Sequence, residues 1–489
     1  MTPTDLRLVP AALTSWAVTA AGITWAGVGA SLTAVAAVAA TAATGWWAAR
    51  RAPAGDRPSW TTVVAAVALV GAGFAVAVTM REAAARNHPL TTAIGSSVPV
   101  VVAPTETPRV LAGGRTMFRG ALHRVDGVPS AGRVLVFASG SDYARLQPGQ
   151  PAGFRAVVGA PKRRDLTVAV LAAKGSPVPG AAPPVQQVAH AVRSDFAAAA
   201  RSALPADQAA MLPALVLGDT STVPQPTTAQ FRVAGLTHLT AVSGANVTIV
   251  CGAVLLSAAV LGPRAAVALA AVTLLGFVIV VQPSASVLRA AVMGAITLLA
   301  VLSHRRRQAL PALAGTVVAL MVGAPELATD AGFALSVSAT AALVLIAPGW
   351  TQRLTDRGWP RPLAAAVSVA FAAQLVTAPL VAGISGSVSL VAVLANLAAA
   401  PVIPPITVLG TAAAALCPVW PAGAELLIRF TGPEVWWLLG VARWSAALPA
   451  AAVPVPSGVA GVALITVAAA LVAAGWHWAV SARRDTIVR

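Results

Sequence analysis

The segment GLTHLTAVSGANV, residues 235–247, places a histidine and a serine at the beginning of a long apolar stretch. These two residue types can supply the general base and the nucleophile of a hydrolase. Ser243 is not in the G-x-S-x-G turn that exposes a nucleophilic serine, and no third residue is evident to orient His238. The pattern therefore disfavours a membrane hydrolase, and we predict that the chain is not an enzyme.

Metal and disulfide chemistry find equally little support in the sequence. The six histidines are scattered, without the spacing that zinc ligands show. Cys251 and Cys417 both lie in apolar segments, where a buried, inert thiol is the expected state. We therefore predict no metal, no cofactor and no disulfide framework.

Polar residues recur at a similar depth in the apolar segments that follow. Arg289 lies in PSASVLRAAVM, Ser336 in DAGFALSVSAT, Gln374 in the middle of a segment, and Asn396 shortly before three prolines. Irregular backbone at membrane depth is tolerated only where it is buried in protein or lines a water-filled cavity. We predict an aqueous path lined by Gly235, His238, Ser243, Gly244, Asn246, Arg289, Ser336, Gln374 and Asn396.

Simpler roles stay open for these groups. Hydroxyl and amide side chains cap helices and bond between them, glycines permit close packing, and an arginine near a helix end can snorkel to headgroups. Asp219, in the short motif LGD, and Asp330, at a predicted helix start, are assigned to capping or gating.

The elements that must position these residues are membrane helices. Hydrophobic residues make up 57% of the 489 residues and charged ones 10%. Several apolar runs exceed the roughly 18 residues that cross a bilayer as a helix. From residue 81 the chain changes to short β-rich runs separated by Gly and Pro. We predict a polytopic α-helical membrane protein of about 10–12 spans with an inserted small all-β domain.

The predicted divisions follow these changes in composition. They are N-terminal transmembrane helices at 1–80, the β-domain at 81–185, an amphipathic, interfacial helical linker at 186–234, a transmembrane channel domain at 235–480, and a cytoplasmic tail at 481–489.

Basic clusters in short loops predict the orientation. Because cytoplasmic loops carry an excess of Lys and Arg, these clusters should lie inside, and stepping span by span then places the β-domain outside the cell. We expect a multi-pass protein of the cytoplasmic (inner) membrane, whose net charge of +17 also favours anionic membrane lipids. The clusters are Arg50/Arg51/Arg57, Arg305/Arg306/Arg307, Arg353/Arg357/Arg361 and Arg483/Arg484.

Five blocks in the second half of the chain carry a family resemblance. They are LPALVLGDTS, FRVAGLTHLTAVSGANV, PSASVLRAAVM, DAGFALSVSATAALVLIAP and GSVSLVAVLANLAAAPVIPP, in this order between about residues 210 and 415. Together they resemble the ComEC family of competence proteins, which forms the inner-membrane channel for transforming DNA. The preceding arrangement of three helices and a β-domain is also similar to that family, whose external loop resembles an OB-fold.

The resemblance implies import of single-stranded DNA through the predicted path. Many family members carry a C-terminal metallo-β-lactamase-like domain that is thought to degrade the second strand. This chain stops about ten residues after its last predicted helix, so we expect no such domain and no nuclease activity. A DNA receptor, a separate nuclease and a cytoplasmic translocation motor are the implied partners, and a homo-oligomer is left open.

The charge of the β-domain agrees with contact to DNA. Between residues 81 and 190, thirteen Lys or Arg against five Asp or Glu give a net charge of +8. OB-folds that bind single strands pair a basic groove with aromatic stacking platforms. The four aromatic residues, Phe118, Phe137, Tyr143 and Phe154, are expected mostly to fill the barrel. The predicted DNA contacts are Arg115, Arg119, Arg124, Arg155, Lys162, Arg163 and Arg164.

Two other functions remain open at this point. A secondary transporter of a small anion could use the same polar residues and broken helix, although it would not need a basic external domain. An exporter of a lipid or a polysaccharide could use such a domain.

Overall fold

The computed structural model describes residues 5–51, 60–111, 113–282, 284–303 and 308–485. The predicted clusters at Arg50/Arg51/Arg57, at 305–307 and at Arg483/Arg484 lie outside the residues whose side chains are described. The chain divides into two compact units. Unit 1 comprises residues 1–195 and 251–330, and unit 2 comprises residues 196–250 and 331–489.

Helices make up most of both units. Those of unit 1 are α1 (Val9–Arg51), α2 (Trp60–Arg86), α3 (Pro89–Thr92), α8 (Pro263–Val281), α9 (Ala285–Leu302) and α10 (Ala309–Gly323). Two helices cross the division, α4 (Pro184–Ala203) and α7 (Gly244–Ser257). Those of unit 2 are α5 (Ala206–Leu217), α6 (Gln225–Val233), α11 (Ala331–Leu345), α12 (Ala347–Thr355), α13 (Arg361–Ser385), α14 (Ala392–Ala399), α15 (Ile403–Leu416), α16 (Pro421–Phe430), α17 (Gly432–Ala447) and α18 (Val459–Asp485).

The helices confirm a polytopic membrane protein. Among the described residues, seven helical segments are long and apolar enough to cross a bilayer. The break predicted near Asn396 is present, because α14 and α15 are bent by 54° and could form one further span together. Three shorter apolar helices remain, at Ala206–Leu217, Ala309–Gly323 and Val459–Gly475. The predicted total of 10–12 spans is reached only if these shorter helices cross the bilayer too.

The N-terminal helices differ in detail from the predicted pattern. In α1, Trp25 and Ala26 leave helical geometry, which divides the stretch that was predicted as two helices. Helix α2 continues to Arg86, beyond the predicted boundary at residue 80. Residues 83–85 are alanines, which favour a helix, and Glu82 pairs with Arg86 one turn later at 3.1 Å.

The β-domain is a barrel closed by five strands. Strand β1 pairs with β3 and β5, β4 pairs with β3 and β6, and β5 pairs with β6, while the short β2 extends the edge of β3. Only the β4–β6 pair is parallel. This closure agrees with the predicted OB-like fold. The strands are β1 (Ser97–Pro104), β2 (Arg109–Val110), β3 (Arg115–Val125), β4 (Val128–Ser139), β5 (Ala152–Gly159) and β6 (Thr167–Pro179), and unit 2 has the short pair β7 (Ser387–Ser389) and β8 (Ala452–Pro454).

The barrel interior is filled as the alternating sequence predicts. Phe118, Tyr143 and Phe154 are buried, with the Tyr143 and Phe154 rings packed edge to face at 5.5 Å. The Tyr143 hydroxyl donates to the Gly175 carbonyl at 3.1 Å, and burial raises the pKa of Tyr143 to about 12. Phe137 is the exception among the four aromatic residues, because it lies on the outer face of β4 and is half-buried.

A buried histidine joins the barrel to the helices before it. His88 Nδ1 accepts a hydrogen bond from the Leu90 amide at 3.1 Å and thereby caps α3. Its Nε2 lies 2.9 Å from the Ser130 hydroxyl on β4. Since Nδ1 accepts, the neutral ring carries its proton on Nε2. Burial lowers the pKa of His88, against an opposing hydrogen bond with the Ala131 backbone.

The predicted interfacial linker at 186–234 contains helices of two kinds. Helix α4 has an exposed polar face, and its interfacial position stays a prediction. Helix α5 is buried from Met211 to Leu217 and packs against α15 and α17. A helix that is apolar all round is stable only when it is surrounded, so this part of the linker lies inside unit 2.

Candidate functional site

The motif at 235–247 begins with a glycine that no other residue can replace without strain. Gly235 follows α6 with φ +72°, a left-handed conformation that L side chains rarely adopt. A Cβ atom at this position would lie 2.5 Å from the Ala392 Cβ and 3.5 Å from the Ser389 Cβ. The motif is therefore packed directly against the segment between β7 and α14.

Asn246 is a buried bridge rather than an open polar surface. It is 6% exposed, its Oδ1 accepts from the Ser243 hydroxyl at 2.9 Å, and its Nδ2 donates to the Leu215 carbonyl at 3.1 Å. Leu215 lies in the last turn of α5, where carbonyl groups lack partners within the helix. The contacts of Asn246 thus attach the beginning of α7 to the end of α5.

His238 has a different environment from its neighbours in the motif. It lies in a short 3₁₀ turn, Thr237–Leu239, and its side chain is exposed. Its ring is close enough to hydrogen-bond the Gly235 backbone. The Ser243 hydroxyl is directed to Asn246, and no described hydrogen bond joins it to His238.

Asp219 forms a local turn after α5. Its Oδ1 accepts from the Ser221 amide at 3.0 Å, while Gly218 adopts the left-handed conformation that ends the helix. Gly218 also packs against Val242, since a Cβ atom there would be 3.3 Å from its Cγ2. The LGD turn and the polar motif therefore form one packed assembly, in which the Asp219 carboxylate stabilises a local turn.

Two further predicted path residues meet the same segment of unit 2. Gln374 Nε2 lies 3.4 Å from the Ser389 carbonyl, the residue beside Gly235. Asn396 is one turn after Ala392, and its Nδ2 donates to the Ala392 carbonyl at 2.8 Å. The structure thus gathers Gly235, Gln374 and Asn396 around residues 389–396.

The remaining predicted path residues lie elsewhere. Ser336 is half-buried on α11, and Asp330 directly precedes that helix. Arg289 belongs to α9 of unit 1 and is 6% exposed, with its Nη1 3.8 Å from the Met293 sulfur. Burial in the protein distinguishes Arg289 from a side chain that snorkels to the bilayer surface.

The outer face of the barrel carries an apolar row, of which three side chains are half-buried and one, Ala172, is exposed. Met117 on β3 is opposite Phe137 on β4, Phe137 is opposite Ala172 on β6, and Ala172 is opposite Val157 on β5. Inward-facing residues alternate with these positions, so all four side chains share the outer surface. This row crosses four adjacent strands.

Cations flank the apolar row. Arg115 precedes Met117 by two residues, and its guanidinium carbon is 5.6 Å from the centre of the Phe137 ring. Lys174 is two residues after Ala172 and directly opposite Arg155, and both are exposed. Like charges in directly opposed positions destabilise a sheet, unless an anion lies between them. We name these seven residues the outer-face strip: Arg115, Met117, Phe137, Arg155, Val157, Ala172 and Lys174.

The other predicted DNA contacts are exposed but differ in their partners. Arg119 and Arg109 lie 4.0 Å from Glu106, which reduces the local positive charge. Arg164 donates to the Thr24 carbonyl at the break in α1. Lys162 and Arg163 are in the same β5–β6 loop, and Arg124 is at a bulge of β3. Loops and the strand 2–3 face are the surfaces that OB-folds use for oligonucleotides.

Five members of the strip were missed by sequence reasoning: Met117, Phe137, Val157, Ala172 and Lys174. Lys174, Met117 and Phe137 come from three different strands, and their proximity depends on the strand order. Alternation along β4 could have placed Phe137 outside, because Val134, Val136 and Ala138 form the opposite, inward set. No group of three potential metal ligands is found among the described residues.

Comparison with known proteins identifies a family. A family model described as "Competence protein" matches residues 215–480, which is more than half of the chain. The matched range includes all the polar membrane residues described above and excludes the barrel. No curated protein and no solved structure matches the chain.

Proposed function

The chain belongs to the competence protein family, and from this membership we propose that it is a membrane channel for the import of single-stranded DNA. The family supports a role in DNA uptake in general, and the helices support a multi-pass membrane protein. The barrel is proposed to gather the strand outside the cell, and the polar residues of the membrane helices to line its passage. The protein acts in this proposal by transport and not by catalysis.

The observation that carries the proposal is the outer-face strip. A single strand offers both flat bases and a line of phosphates, so its binding site combines aromatic or apolar platforms with cations. Phe137 and Met117 supply the apolar platform, with Arg115 over the ring and the Arg155–Lys174 pair beside it. A small anion would use the cations but would gain nothing from the apolar row.

Passage through the membrane is assigned to the exposed and half-buried polar groups. His238 is exposed, and Gln374 and Asn396 are half-buried in unit 2. Each nucleotide brings a phosphate charge, so a strand in the bilayer needs such polar groups along its whole path. Arg289 is buried in unit 1 and is not one of these exposed groups, so its role as a cation of the path stays a prediction from the sequence.

Binding of a fluorescent oligothymidine to the purified full-length protein in detergent tests the strip. Because stacking contributes about 1–3 kcal/mol per base, we expect Phe137→Ala to weaken binding about tenfold. Lys174→Glu should also weaken binding, whereas Arg145→Glu, an equal charge change at an exposed residue outside the strip, should have a small effect. Equal losses for the two charge variants, with Phe137→Ala unchanged, would refute the assignment.

An uptake assay with cells distinguishes the binding of DNA at the cell surface from its passage through the membrane. DNA that is accessible to added nuclease measures surface binding, and protected DNA measures import. His238→Ala should leave accessible DNA unchanged and abolish protected DNA, while Phe137→Ala should reduce both. Normal protected DNA with His238→Ala would exclude this side chain from the path.

A further inference from the structure

The end of α10 is a meeting point for three other elements of unit 1. The Val322 carbonyl accepts from Arg81 Nη2 of α2 at 2.9 Å. In the 3₁₀ turn that follows, Pro325–Thr329, the Ala328 carbonyl accepts from the Trp16 indole of α1 at 2.9 Å. Carbonyl groups at a helix end lack partners within the helix, and these contacts satisfy them. Residues 322–328 are thus held by both N-terminal membrane helices.

The same turn also binds the barrel. The Glu326 carboxylate forms an ion pair with the Arg133 guanidinium, which comes from β4. Arg133 and Phe137 are four residues apart on one strand, so both side chains leave the same outer face of β4. The ion pair therefore turns the face that carries the outer-face strip toward the membrane helices of unit 1.

Two additional contacts hold the barrel in the same place. The Gln282 amide, at the end of α8, is 2.9 Å from the Thr107 hydroxyl of the β1–β2 loop, and its oxygen faces the Arg193 guanidinium of α4. Arg164 of the β5–β6 loop donates to Thr24, at 3.3 Å, where the break in α1 frees a carbonyl. Together with the Glu326 ion pair, these contacts join the barrel to three membrane helices: α8 through Gln282, α1 through Thr24, and α10 through Glu326.

We propose that Glu326 is a positioning residue that fixes the barrel, through Arg133, on the membrane helices. Resting on the proposed DNA function, the consequence is that a strand on the outer-face strip is delivered to the membrane at one constant place. The barrel is then fixed on the membrane helices of unit 1 and is not a receptor on a flexible tether. Neither Arg133 nor Glu326 belongs to the strip.

Disulfide trapping measures this attachment without reference to DNA. In a variant without Cys251 and Cys417, Thr107→Cys and Gln282→Cys should be joined rapidly by a short, reducible bis-methanethiosulfonate reagent in the full-length protein, because the Gln282 amide reaches the Thr107 hydroxyl. Arg133→Glu or Glu326→Arg should slow the cross-linking by up to about fivefold, the factor for an ion pair at the upper end of the surface range. The double variant Arg133→Glu/Glu326→Arg should restore it.

A matched control and a milder variant complete the experiment. Asp142→Arg reverses an exposed acid of the same barrel and should leave cross-linking unchanged, and Glu326→Gln removes the charge while keeping the shape. Unchanged cross-linking in Arg133→Glu, Glu326→Arg and Glu326→Gln would overturn the proposal. So would a double variant that fails to recover although both single variants are inserted in the membrane at normal levels.

Import of DNA then separates this proposal from the proposed function. If both hold, the single reversals lose protected DNA, retain oligothymidine binding, and the double variant recovers import. If cross-linking follows the charge pattern but the unaltered protein imports no DNA, the attachment stands and the DNA function fails. If the cross-linked protein is inactive in import while its reduced form is active, the barrel must detach, and the idea of a fixed barrel is wrong.

Discussion

The polar motif at 235–247 and the outer-face strip use their polar side chains in opposite ways. In the motif, Asn246 is buried and both ends of its amide are bonded within the protein. In the strip, Arg155 and Lys174 are exposed side by side despite their like charge. A bonded, buried amide stabilises a packed structure, whereas neighbouring exposed cations are stabilised by an added anion. The bonded amide of Asn246 indicates packing in this part of the motif, and the exposed cations support the proposed ligand binding by the strip.

Gly235→Val should have the largest effect and test the motif as a scaffold. A Cβ atom at φ +72° costs about 1–2 kcal/mol, and overpacking against Ala392 adds roughly 1–3 kcal/mol. We expect a strongly reduced amount of folded protein in the membrane, measured by size-exclusion chromatography in detergent. Gly252→Val, a glycine with open space at its Cβ position, is the matched control. A normal elution profile for Gly235→Val would contradict the packing seen here.

Asn246→Leu should be the next most severe change. It leaves the Ser243 hydroxyl and the Leu215 carbonyl without their partner, at about 1–3 kcal/mol for each buried group. The thermal unfolding temperature of the purified protein should fall, while oligothymidine binding at low temperature stays normal. If Asn246→Leu instead keeps its thermal stability and loses only import, the side chain acts in the path and the contrast between the two regions disappears.

Reversal of the β5–β6 loop charges should have a smaller effect that depends on salt. In a plot of log affinity against log salt concentration, each phosphate neutralised contributes a slope of about −0.7 for single strands. Lys162→Glu/Arg163→Glu should therefore make the slope for oligothymidine less negative by the contribution of roughly one to two phosphates. Arg164 is left unchanged in this test because it bonds Thr24. Affinity equal to the unaltered protein at every salt concentration would limit DNA contact to the strip.

The smallest expected effect concerns pH and the joint between barrel and helices. Since burial lowers the pKa of His88, the unfolded chain binds a proton more readily than the folded one. Stability is therefore full above the unfolded pKa near 6.5 and is lost as the pH falls toward the folded value, by no more than about 1.4 kcal/mol per pH unit.

Unfolding temperatures between pH 8 and pH 5 check this expectation. His88→Asn retains a side chain that caps α3 but does not titrate, so its acid sensitivity should be smaller than that of the unaltered protein. Parallel curves for the two proteins would show that His88 does not contribute to the pH dependence.

Much of the architecture could be predicted because it depends on local pattern. The apolar runs give the membrane helices, the alternating runs give the strands, and the prolines after Asn396 give the bend between α14 and α15. The extent of α2 and the burial of α5 were predicted less well. The first depends on helix propensity at the end of an apolar run, and the second on which helices surround it.

The sequence by itself determined that this is a membrane protein with a basic β-domain, and its ordered blocks indicated the family that the match at 215–480 confirms. Only the tertiary structure decided which polar groups are bonded to other groups of the protein and which are exposed to solvent. Asn246 meets Leu215, Phe137 meets Ala172, and Arg133 meets Glu326 across long stretches of chain. No local pattern encodes these distances, because a hydrogen bond or an ion pair requires two side chains at one point in space, and strand order and helix packing alone bring them there.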